Sequence, residues 1–75
     1  MRSEELRREL SFNTLVYLAL VVEGDKSLQE GQPGEAKTLS NAAQQYFNRL
    51  TSRERSKLSD YVYQVHQEAL LRRVG

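Results

Sequence analysis

The stretch "LVYLALVV", Leu15 to Val22, decides the fold class of this 75-residue chain. Eight apolar or aromatic residues in a row suit a buried strand as well as a buried helix. Val16, Val21 and Val22 carry the β-branched side chains that strands favour. A strand needs a pairing partner, however, and no other segment of the chain reads as one. Helical spacing instead runs through the whole region. Leu6 and Leu10 are four apart, and Phe12, Leu15, Val16, Ala19 and Val22 continue the pattern. The reading is therefore a helix over about residues 3–23, in an all-α protein. Ser3 is its candidate N-cap, with Glu4 and Glu5 where the helix dipole favours acids. Gly24 stands where a C′ glycine would end it. Ser11 is able to restart the helix, which leaves either one kinked helix or two. The second half is apolar almost all round, so it has to be covered on several sides.

Downstream, residues 24–33 read as a loop, with Gly24, Gly31 and the chain's one proline, Pro33. Pro33 suits the N1 position of a second helix over 34–50, with Glu35 in its first turn; Thr38 is the later alternative cap. Ala36, Leu39, Ala43, Tyr46 and Leu50 form a 3-4-3-4 seam along it. Thr51 with Glu54 is a capping box, which opens a third helix over 52–73. With almost no linker between them, the second and third helices form either a tight hairpin or a steep corner. The third helix has two apolar faces. Val62, Val65 and Ala69 lie on one, which is assigned to the seam of the second helix. Tyr63, Leu70 and Val74 lie on the other. The expected architecture is a single small domain over 1–75. It is a three-helix bundle or a helical hairpin with an N-terminal helix, completed by dimerisation.

Size and composition narrow the function. A chain this short buries only about 60% of its unfolded surface, so its core is marginal. It has no cysteine to supply a disulfide or a thiolate zinc site, and its single histidine, His66, cannot make a multi-histidine centre. As a general base, His66 would need an orienting carboxylate and a nucleophile, and Asp60 lies on a different part of the helix. The glycines make no phosphate loop, because the Gly-Lys-Ser/Thr ending is missing. No catalytic residue, cofactor, metal or small-molecule substrate is therefore expected. The longest apolar run, eight residues, falls far short of the ~20 that span a bilayer, and its flanks are not those of a signal peptide. A cytoplasmic protein that does not engage membranes is the expectation.

Two binding readings remain. The first is a non-enzymatic protein–protein interaction module, an adaptor, regulator or assembly factor. Its partner is another protein or itself, as a homodimer, and its contact residues are Tyr63, Leu70, Leu71 and Val74. The second is a small dimeric regulator that binds nucleic acid. It would use Arg49, Arg53, Arg55 and Lys57, which cluster around the start of the third helix with Glu54 the one acid among them. A net charge of +1 gives no global field for a polyanion, and a solvated helix start is the ordinary reading of such a cluster.

Overall fold

The computed structural model describes residues 2–74, with Val74 by its backbone alone. It is all-helical: α1 (Arg2–Arg8), α2 (Phe12–Gln29), α3 (Pro33–Arg49) and α4 (Ser52–Val74), with no strand among the described residues. "LVYLALVV" lies wholly inside α2.

Each boundary has a local cause. The first helical region divides in two at residues 9–11. The chain tightens there as Glu9 and Leu10 N–H groups donate to the Leu6 and Arg7 carbonyls, at 3.0 and 3.1 Å. Ser11 then restarts the helix as a true N-cap, its hydroxyl accepting from the Thr14 N–H at 3.3 Å. Ser3 is not a cap. It sits inside α1, and both its N–H and its hydroxyl donate to Glu68 of α4, at 3.4 and 2.5 Å.

The largest departure from the expected boundaries is at Gly24. The helix continues for five residues past it, through most of the expected 24–33 loop. Gly24 is buried, and a Cβ there would stand 3.6 Å from the Leu39 Cβ and 3.8 Å from the Ala36 carbonyl oxygen. Close approach of α3, not termination, is what this glycine provides. The terminator is Gly31, at φ +76°. Its N–H reaches the Leu28 carbonyl at 3.1 Å and the Gln32 N–H reaches the Ser27 carbonyl at 2.9 Å. That is the paired 5→2 and 6→1 pattern of a Schellman ending. Pro33 opens α3 at its first turn. Thr38 lies inside α3 and donates back to the Gly34 carbonyl at 3.2 Å. The capping box of α4 forms in both directions: Thr51 N–H to Glu54 Oε1 at 2.9 Å, and Glu54 N–H to Thr51 Oγ1 at 3.1 Å.

The four helices form two arms that meet at a corner. α2 and α3 pack along each other as an antiparallel hairpin. In it Ala36, Ala43 and Leu50 are buried and Leu39 and Tyr46 half-buried, so the 3-4-3-4 seam is an interface. Its partner is α2, with Tyr17 and Phe47 in ring contact at 5.5 Å between centroids. In the other arm α1 runs antiparallel to α4, as the pairs Ser3–Glu68 and Ser11–Glu54 show. α4 thus leaves α3 at the corner instead of folding back along it, and its Val62–Val65–Ala69 face does not reach the α3 seam. Val62 and Val65 are 50% and 40% exposed, and Ala69 is exposed too. The reason is occupancy: the seam is already filled by the small-residue face of α2, Gly24 and Ser27 included.

The corner holds the remaining core. Leu10, Leu50 and Leu58 are buried there, and Thr14 is fully buried. The hydroxyls of Ser11 and Thr14 are 2.9 Å apart, and Ser11 donates to the Glu54 carboxylate. Glu54 therefore caps α4 while accepting from the cap of α2, which places two helix N-termini beside one carboxylate. These contacts hold its pKa below the ordinary value. The Ser11 hydroxyl is the largest cause and the Thr51 backbone N–H the next.

Candidate interaction surface

The side of α4 that is half-buried is mostly polar: Glu54, Lys57, Tyr61, Gln64, Gln67 and Glu68. Glu68 and Glu54 are tied to α1 and the corner by the serine contacts. The apolar side is open. Leu58, Val62, Val65 and Ala69 are spaced 4-3-4 and fall within about 60° of one another around the helix axis. Leu58 is buried at the corner and the other three are exposed. Beside this row, Phe47 of α3 and Arg55, Leu58, Ser59, Val62, Tyr63 and His66 of α4 line an open groove of about 550 Å³. Arg55 fixes one wall. Its guanidinium lies 4.5 Å from the Phe47 ring centroid and donates to the Phe47 carbonyl at 3.0 Å.

Of the four residues expected to make the partner contact, Tyr63 and Leu70 share a face, seven residues apart, and both are exposed. Tyr63 also lines the groove. Leu71 is 71% exposed but points about 100° away from Leu70, so it belongs to another side of the helix. Val74 ends α4, and its side chain lies outside the described residues.

The four basic residues do not make one patch. Arg49 lies at the end of α3, over the Tyr46 ring at 5.4 Å. Arg55 is held on Phe47. Arg53 and Lys57 line a smaller pocket of about 170 Å³ on another side of α4, with Glu9, Leu10, Ser11, Thr14 and Glu54.

A second exposed row lies on α2; its spacing is legible in the sequence, but it was expected to be covered. Phe12, Leu15, Ala19 and Val22 of α2, spaced 3-4-3, all face solvent, Phe12 at 75% exposure. The signal was present in their spacing. Which side stays open was not legible, because Val16, Tyr17 and Leu20 are apolar as well.

Among the described residues no group of three or more His, Asp or Glu side chains is placed to hold a metal ion, and no helix is long and apolar enough to cross a membrane. No protein-family model matches the chain, and no curated protein or solved structure is similar enough to count as a relative.

Proposed function

We propose that the chain is a non-enzymatic protein-interaction module, an adaptor, regulator or assembly factor that works through the apolar surface of α4 and completes its fold by associating with another polypeptide. One observation carries this reading. Val62, Tyr63, Val65, Leu70 and Leu71 are all exposed on a single helix, five large apolar side chains. The Val62–Val65 face adjoins the Tyr63–Leu70 face, and apolar surface of that extent on a small chain marks a contact site. Tyr63 suits the role further, since a tyrosine serves a half-wet, half-apolar contact well.

The test is a triple variant, Tyr63→Ser, Leu70→Ser and Leu71→Ser, measured by light scattering at micromolar concentration and by circular dichroism. The expected outcome is a parent chain that sediments above monomer mass and a variant that keeps its helicity and loses the assembly. A clean, stable parent monomer with no exposed-surface dye binding would sink the reading. The nucleic-acid alternative has less support, because Arg55 is engaged by Phe47 while Arg53 and Lys57 face another way beside two glutamates. Salt-sensitive retardation of DNA or RNA that drops on Arg53→Ala would restore it.

A further inference from the structure

We infer that the occupant of the α4 groove is a second copy of this chain, seated so that the two α4 helices run antiparallel about a two-fold axis between residues 63 and 64. The inference rests on the interaction-module reading and names the partner and the register.

The first argument is area. The chain exposes 5830 Å², whereas a compact monomer of 8.7 kDa exposes about 4,700 Å². Its radius of gyration is 13.7 Å, against about 11 Å for 75 residues packed compactly. The excess surface is about 1,100 Å², and a stable dimer needs about 800 Å² from each partner. The molecule measures 36 × 32 × 15 Å, and its thin dimension holds one pair of helices at about 9 Å between axes, with no room for a third. Each arm is a two-helix unit that lacks a covering layer.

The second argument is pattern. A two-fold contact must be self-complementary, with each residue meeting the same partner in both directions. The row Leu58, Val62, Val65, Ala69 reads 4-3-4 from either end. Reversed on itself, it sets the exposed Val62 opposite Val65 of the second copy and brings the small Ala69 over the corner where Leu58 is already buried. Along α4 the groove runs from Arg55 to His66, so in this register it faces residues 61–72 of the second copy, with Val65 opposite Val62.

The chain has no cysteine, so a single introduced cysteine is its sole thiol. Val62→Cys and Val65→Cys are made separately, mixed and oxidised gently, and the products resolved by mass under denaturing conditions. In the proposed register the 62–65 pair has no offset along the axis, while 62–62 and 65–65 pairs are offset by about 4.5 Å. The expected result is a mixed disulfide dimer in several-fold excess over either self-linked product. A chain of dimer mass that gives no such excess overturns this register and leaves the interaction-module reading standing. A chain of monomer mass overturns both. Val62→Glu with Val65→Glu supplies an independent check, since both side chains are exposed within the protomer. Helicity should persist while the mass halves.

Discussion

The two arms are both antiparallel helix pairs, yet they close in opposite ways. In the α2/α3 arm small residues face each other. Gly24 lies against the Ala36 carbonyl and the Leu39 stem, and Ser27 is buried one turn on, so the backbones approach and the apolar seam of α3 is consumed. In the α1/α4 arm a seven-residue helix is tied to a long one through hydroxyl–carboxylate contacts at both ends, and the seam of the long helix stays open. Apolar spacing alone therefore does not say which helices meet. The helix pair that can come closest takes the seam. The other helix is left with a surface to use elsewhere.

If that comparison is right, the corner that joins the arms should be the most sensitive place in the chain. Leu50 ends the α3 seam and is only 4% exposed where α3 gives way to α4. Leu50→Ala should cost about 2–4 kcal/mol. In a domain this small that is a large share of the total, so urea denaturation followed at 222 nm should show a midpoint near zero denaturant. A loss under 1 kcal/mol would mean that the arms are held apart from the corner.

The close-packing claim for the α2/α3 arm is sharpened by a pair of glycines. A Cβ at Gly24 makes only ordinary van der Waals contact, so Gly24→Ala should gain up to ~1 kcal/mol from helix propensity. Gly24→Leu should instead lose about 1–3 kcal/mol by forcing α2 away from α3. Gly31 has open space around it but sits at positive φ, so Gly31→Ala should lose about 1–2 kcal/mol through backbone strain alone. Thermal unfolding of the three variants checks all the signs. Equal effects at Gly24 and Gly31 for the alanine change would show that the two glycines do the same job.

Those two glycines also mark where the sequence was legible and where it was not. Features set by a few adjacent residues could be read directly: the capping box at Thr51 and Glu54, Pro33 at the start of α3, the helical spacing through Leu15–Val22; Ser11 was legible as a restart point, but not whether it left one kinked helix or two. Gly24 and Gly31 look alike in sequence, each a glycine beside polar residues. Which of them ends the helix depends on whether α3 packs against that point, and that is a tertiary fact. The same limit applies to α4. Its 4-3-4 row was legible as an apolar face, but its partner was not, because α2 and α4 compete for one seam and the smaller side chains of α2 decide the outcome. The Arg49, Arg53, Arg55 and Lys57 cluster was contiguous in the chain. It dispersed in space because residues two apart on a helix point about 200° from each other.

The smallest effect concerns what couples the arms through charge. Glu54 accepts from Thr51 at the start of α4 and from Ser11 at the start of α2, and these contacts lower its pKa. A carboxylate whose folded pKa is depressed adds stability that is present above its unfolded pKa. That stability is lost as the pH falls through the folded pKa. Protonation supplies a hydrogen where Ser11 needs an acceptor and cancels the charge that both helix N-termini face. The melting temperature of the parent should therefore decline as the pH drops below the ordinary carboxylate range. Glu54→Gln keeps an oxygen acceptor for the Thr51 N–H but carries no charge. It should be less stable than the parent at neutral pH and converge with it in acid. Titrating both proteins from pH 7 to about pH 3 by thermal unfolding separates the cases. Two curves that stay parallel would show that Glu54 contributes packing but no charge to the corner, and that the α1/α4 arm is positioned by Leu10, Leu58 and the Ser3–Glu68 contact alone.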